Sequence, residues 1–334
     1  MLIYCEEMKE SSSVVSSSSE TICRIDSVLP VSPLTSDDAG STYCARWLSD
    51  TKYTKDLHLT KVVGTFEIVF EDKDIFVVEK PSYLSTTNTR TLVDSVKTRL
   101  EKRLGEDDDL HVVHRLDWET SGLMVFAKNK DAMRALTAQF EKRLVDKTYV
   151  ADAIGTMPVF GSGGGVTDLP LSMDPVRRPL QRIDYGRKGK RSKTSWTVEK
   201  SRGRAFRLIM KPKSGRRHQL RVHCLGMGVT MAGDRLYERD DRFGDHPLRP
   251  TRLHLHATDL AFAHPVSGKR MHFHSDPPFT FEAAVRWAGV VCGEGNSKRA
   301  VETRATAERQ VKMRKRKIDD SNSSRTAERV GDRP

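Results

Sequence analysis

The chain has 334 residues, room for one large domain or two ordinary ones, and its 37% hydrophobic against 31% charged residues point to disordered ends around a folded middle. Lysine and arginine number 57 against 45 acidic residues, a formal net charge of +12, and such a surplus favours a polyanionic partner because each neutralised phosphate releases counterions. Five scattered cysteines without a C-x-x-C pair exclude a zinc finger and argue against a disulfide framework, and no run of about 18 apolar residues exists to span a membrane.

The N-terminus lacks an apolar signal region and carries Glu6, Glu7 and Glu10, which suits neither a secretory signal nor a mitochondrial presequence. An intracellular protein is expected, nuclear or cytoplasmic. Residues 1–60 are serine-rich between Ser11 and Ser19, show no apolar period, and are expected to be disordered. Phe66, Ile68 and Phe70 then alternate with other residues and Ile75 to Val78 follow, which predicts two short strands joined by a charged turn. Leu92, Val96, Leu100 and Leu104 recur every four residues and predict an amphipathic helix. Gly122 to Ala127 is an apolar run of buried-strand type. Met133, Leu136, Phe140 and Leu144 form a second helical stripe, with Asn129 or Asp131 placed to cap its start. Lys147 to Ala153 reads as strand, Gly161 to Gly165 as a glycine-rich loop, Phe206 to Met210 as strand and Arg217 to Leu225 as helix. Leu253, Leu255 and Ala257 alternate with His254 and His256, again a strand.

From Ser297 the chain is a charged tail: residues 297–334 hold 12 Lys/Arg against 6 Asp/Glu, centred on Lys312 to Lys317. It reads as a solvated segment, a nuclear import signal or an extra grip on RNA. There is no repeat of 20–50 residues. Strands and helices mix without strict alternation, so the fold class is α+β, with a largely antiparallel central sheet and flanking helices, over a folded domain at 61–290.

The segment richest in reactive groups is His111 to Gly122, polar and set directly before an apolar strand. Asp117 offers a nucleophile or a base, Arg115 a bidentate grip on phosphate or carboxylate, and Thr120-Ser121-Gly122 a tight turn. Composition alone equally allows an ordinary turn whose aspartate caps backbone amides. A kinase loop is excluded, since its aspartate would directly follow His-Arg and an Asp-Phe-Gly would lie beyond it. Here Asp117 stands one place late, and no Asp-Phe-Gly exists.

The run His114-Arg115-Leu116-Asp117-x-x-Thr120-Ser121-Gly122, followed by Ala127-Lys128, resembles the signature of the RluA-type pseudouridine synthases. Further blocks agree in family order. Phe70 to Pro81 looks like the entry strand and Lys-Pro turn, and Lys147-Thr148-Tyr149 like the Lys-x-Tyr block. Gly215-Arg216-Arg217-His218-Gln219-Leu220-Arg221-Val222-His223 follows, then Gly233-Asp234, Tyr237, and the closing strands at Leu253–Ala257 and Phe262–Pro265. The resemblance spans Phe66 to Trp287. Departures are the glycine- and arginine-rich stretch from Gly155 to Lys193, Leu220 where isoleucine is more usual, and no S4-like module read before Phe66.

This resemblance implies the pseudouridine synthase fold and conversion of uridine to pseudouridine in RNA, rRNA or tRNA. Nothing is oxidised and no atom is lost in that isomerisation, so neither a cofactor nor a metal is expected. It implies Asp117 as the catalytic carboxylate, Arg221 as its ion-pair partner, and Tyr149 as the active-site tyrosine. Arg115 is implied to enter the RNA stack as the target base is extruded, a step that costs a few kcal/mol. Leu220 is expected as an apolar floor under the base, His114 as a loop-shaping residue, and Arg217 and Lys147 as RNA contacts. Asp117 is expected to face a pocket for one flipped nucleotide. A monomer with RNA as partner is expected; the competing reading is an inactive RNA-binding protein that retains the fold.

Overall fold

The computed structural model describes residues 23–24, 66–88, 94–104, 109–156, 163–238 and 246–292. In chain order the strands and helices are β1 (Cys23–Arg24), β2 (Glu67–Glu71), β3 (Ile75–Lys80), α1 (Val96–Glu101), β4 (His111–Val112), β5 (Ser121–Ala127), α2 (Lys130–Glu141), β6 (Asp146–Gly155), β7 (Gly164–Asp168), β8 (Leu171–Met173), β9 (Gln181–Ile183), β10 (Lys193–Arg202), β11 (Ala205–Pro212), α3 (Gln219–Gly226), β12 (Val229–Met231), β13 (Leu255–Ala263), β14 (Arg270–His274) and α4 (Phe281–Val291). Twelve strands form one sheet whose main path is β1-β2-β3-β5-β13-β6-β11-β10-β7, with β4, β12 and β14 pairing β5, β6 and β13; β8 and β9 pair separately. Every pairing between these strands is antiparallel except β5 with β13. This is the α+β, largely antiparallel architecture expected. One compact unit ends at Trp287, and the residues from Ala288 on form a second, described only to Cys292.

The middle of the sheet is buried on both faces. Ile75, Val77, Leu123 and Val125 pack with Ala132 and Leu136 of α2. Phe76, Val78, Met124 and Phe126 pack on the opposite face with Val96 and Leu100 of α1. A strand covered on both faces gains nothing from polar alternation, which is why β5 reads as an unbroken apolar run. Asn129 caps α2 by accepting from Ala132 N at 2.8 Å. Ser95 caps α1 in a capping box with Thr98.

Several local expectations change. Phe66, Ile68 and Phe70 do not share a face: Phe66 and Ile68 lie in the α1-side core, while Phe70 packs on the α2 side. A register shift between Ile68 and Phe70 inverts the alternation there, as a β-bulge does. Leu92 lies outside the described residues, and Leu104 falls beyond the end of α1. The second stripe ends early as well, because Arg143 takes φ 61° and leaves Leu144 exposed. The glycine run is not wholly a loop. Gly164 and Gly165 belong to β7, and a Cβ at Gly165 would lie 2.9 Å from the Trp196 ring. His254 and His256 alternate with apolar neighbours, yet they are buried too, because both faces of β13 are covered. The 1–60 segment contributes Cys23 and Arg24, which pair with Ile68 and Glu67; its remainder and the 297–334 tail lie outside the described residues.

Candidate active site

Residues 113–120 leave β4 and return to the sheet at β5 as a loop held from several sides. Tyr83 N donates to Trp118 O at 2.7 Å, Ser82 Oγ to Glu119 O at 2.8 Å, Thr86 Oγ1 to Leu116 O at 3.1 Å and Thr120 N to Asp117 O at 3.1 Å. Lys80 ends β3 fully buried and donates to Pro81 O, Leu84 O and Trp118 O at 2.8, 2.8 and 3.3 Å. Burial pulls its ammonium pKa down to about 7, against the pull of Asp117. The loop closes at Gly122, where φ is +116° and a Cβ would lie 2.3 Å from Ala257 O. Glycine there admits the parallel approach of β13. Beneath the turn, Arg252 Nη2 donates to Ser82 Oγ at 2.7 Å and Ser121 Oγ at 2.5 Å.

Asp117 sits half-buried on this loop. Its charge acts on Lys80, Glu119, Tyr149, His218, Arg221 and Tyr237, groups from five separate stretches of chain. Three sequence-named residues, Asp117, Tyr149 and Arg221, therefore come together. The Tyr149 hydroxyl is pushed up, first by burial and then by Asp117, and stays protonated at neutral pH. Its ring packs against the core that includes Leu220, which is 6% exposed.

The expected direct Asp117–Arg221 ion pair is replaced by another arrangement. Arg221 Nη1 lies 2.7 Å from Glu119, while Nε and Nη2 lie 2.8 and 2.5 Å from Asp234. Both carboxylates are buried and take up the Nε, Nη1 and Nη2 donors of the guanidinium, and Asp117 forms no ion pair with it. Burial opposes the charge on Arg221, but Asp234, Glu119 and Asp117 together hold its pKa well above the ordinary value. Burial likewise raises the Glu119 pKa, against the pull of Arg221. The guanidinium also lies over the Tyr237 ring at 5.1 Å. Tyr237 OH accepts from Gln181 N at 2.8 Å and contacts His218 Nδ1 at 2.8 Å. Burial keeps His218 neutral, with its pKa down at about 4.

His114 accepts from Val125 N at 3.0 Å through Nε2 and stacks on Phe140 at 4.5 Å. Burial, then Lys147, lowers its pKa to about 3, so it is a neutral part of the scaffold. Lys147 stands over the same Phe140 ring at 5.8 Å. Arg115 and Arg217 are exposed and ion-pair with no carboxylate among the described residues. Trp118 is 40% exposed and meets Tyr83 edge-on at 5.1 Å, an aromatic surface beside Asp117 that sequence reasoning passed over. Glu119 and Asp234 were also given no role; the signal for Asp234 was its place after Gly233, whose φ is +72°. A cavity of about 270 Å³ borders Lys147, but Asp117 does not line it, unlike the expected single-nucleotide pocket.

The family model of the RNA pseudouridylate synthases matches residues 74–225. The dual-specificity RNA pseudouridine synthase RluA of Vibrio vulnificus is 42% identical over 210 residues, 60% of this chain and 79% of that protein. Its Escherichia coli counterpart is 38% identical over 215 residues, 64% and 93% of the two chains. Among solved structures, human RNA pseudouridylate synthase domain containing 1 superposes with a TM-score of 0.54 at 25% identity, covering 65% of this chain and 86% of that one. Human RNA pseudouridylate synthase domain containing 4 gives 0.52 at 24% identity, over 66% and 92%.

Proposed function

The chain belongs to the RluA-type RNA pseudouridine synthases, enzymes that isomerise uridine to pseudouridine in RNA, and from that membership we propose that Asp117 is the carboxylate that carries the reaction. The isomerisation breaks the C1′–N1 bond, turns the uracil and forms a C1′–C5 bond. A carboxylate beside C1′ can add covalently to sugar or base, or stabilise the charge that develops when N1 departs. The observation that supports this reading is that the charge of Asp117 acts on a buried arginine that Glu119 and Asp234 lock in place. An arginine fixed by two carboxylates cannot swing away, so its field acts on Asp117 without reorganisation during the reaction.

In this reading Tyr149, protonated and backed by the Leu220 core, stacks on the uracil and holds or relays a proton at its hydroxyl. Stacking of this kind is worth about 1–3 kcal/mol per base. Arg115, exposed and without an ion-pair partner among the described residues, fills the stack vacated by an extruded nucleotide. Lys147, Arg217 and Trp118 supply cationic and aromatic contacts to the strand. No helix among the described residues is long and apolar enough to cross a membrane. The substrate is a structured cellular RNA of the rRNA or tRNA type, bound by a monomer.

The test is direct. Purified full-length protein is incubated with uridine-containing rRNA and tRNA pools, and the digested nucleosides are separated by chromatography. Pseudouridine is expected in at least one pool. RNA that is bound tightly yet yields no pseudouridine would instead favour a binding protein on a retained fold.

A further inference from the structure

The 270 Å³ cavity opens where the turn after α2, the start of β6 and the end of β11 meet. Its lining includes Arg143, Lys147, Lys211, Lys213 and Arg216. None of the five pairs with a carboxylate among the described residues. Of the two acids in the lining, Asp146 is ion-paired to Arg270, and Glu141 is exposed. The walls thus carry five cations against Glu141 and the paired Asp146, a net positive charge among the described residues.

The surroundings add to it. Residues 187–217 contain thirteen lysines and arginines and a single acid, Glu199, a surplus that matches the +12 net charge of the entire chain. Lys213 N donates to Lys193 O at 2.9 Å, which ties the cationic Arg191–Lys193 segment to the rim. The cavity also adjoins the reactive loop. Lys147 and Tyr149 share a face of β6 two residues apart, about 7 Å, and Phe140 in the wall carries the stacked His114 ring. Burial already disfavours the Lys147 charge, so an anion placed there would restore it.

We propose that this cavity is a phosphate subsite, which takes a backbone phosphodiester of the RNA strand next to the nucleotide turned towards Asp117. The inference rests on the RNA reading above. It assigns to Arg143, Lys147, Lys211, Lys213 and Arg216 the task of fixing the strand so that one uridine faces the carboxylate. A cavity walled by five cations and little apolar surface selects an anion, and on an RNA substrate the repeating anion is the phosphodiester.

The test is charge reversal at two exposed positions, K211E/K213E, in the full chain. A uridine-containing oligoribonucleotide is titrated at several KCl concentrations, and turnover is followed as pseudouridine formed. Each single-strand phosphate contact contributes about 0.7 to the slope of log K against log salt. The double variant is expected to lower that slope by about one and to raise KM by about tenfold, with kcat changed by less than about twofold. The matched reversal K73E/K130E, on exposed residues outside the cavity, should leave the slope unchanged. An unaltered slope and KM in K211E/K213E, with pseudouridine still formed, overturns the subsite and leaves the enzymatic reading intact. Equal losses in both double variants also overturn it, since general charge would then suffice. A changed slope in a protein that makes no pseudouridine would sink the enzymatic reading while retaining the phosphate site.

Discussion

Asp117 was legible in the sequence because the residues around it form a long ordered pattern, and Tyr149 and Arg221 were legible for the same reason. Their mutual geometry was not. The expected pairing gave Arg221 to Asp117, but Glu119, two residues on, is buried at 5% exposure and pairs with the guanidinium. A pattern that treats position 119 as variable carries no signal for such a carboxylate. Lys80 was visible only as half of a Lys-Pro turn, although a lysine at the end of an apolar strand has to find buried acceptors, and it binds three carbonyls. The Glu119–Arg221–Asp234 arrangement makes a sharp prediction. Arg221→Met strands two buried carboxylates without their cation and should destabilise the fold by about 3–5 kcal/mol. Urea unfolding measures this, and a midpoint equal to that of the wild type would show that the network contributes nothing.

Elements were legible where one physical rule acted alone. β5 read correctly because it is apolar on both faces, and α2 because Asn129 caps a clear stripe. Alternation misled where a bulge intervened, as at Phe70, while the strand read at Leu253 to Ala257 is present as β13 from Leu255 onward. The glycine run misled because Gly165 is small for a packing reason, the Trp196 ring, rather than for a turn. Gly122 is the element-scale weak point: φ +116° and a Cβ position 2.3 Å from Ala257 O leave no room for a side chain. Gly122→Ala should therefore cost about 2–5 kcal/mol in strain and displaced backbone. It should also lower activity at temperatures where the protein stays folded, because β5 would move the loop that bears Asp117. Thermal unfolding and turnover on the same sample check both, and an unchanged melting temperature would contradict the packing argument.

Across the whole molecule, the sheet order could not be read from the sequence, since β13 enters between β5 and β6 from more than a hundred residues away. That insertion brings His256 under the reactive loop, where its Nδ1 meets Ser121 Oγ at 2.8 Å. Burial holds the pKa values of His114, His218 and His256 down at about 3, 4 and 3. Their ordinary value is about 6.5, so between about pH 6.5 and 4 the unfolded chain binds protons that the native protein refuses. Stability present above pH 6.5 is thus lost as the pH falls, by up to about 1.4 kcal/mol per unit for each histidine. The urea midpoint should be lower at pH 5 than at pH 7.5; equal midpoints would mean that these imidazoles are not neutral inside the fold. The chemistry itself is tested most directly with RNA tritiated at uridine C5, because formation of the C1′–C5 bond expels that hydrogen. The wild type should release tritium to water, and Asp117→Asn, folded and binding the same RNA, should release none; release by Asp117→Asn at the wild-type rate would contradict the assignment of Asp117 as the reacting carboxylate.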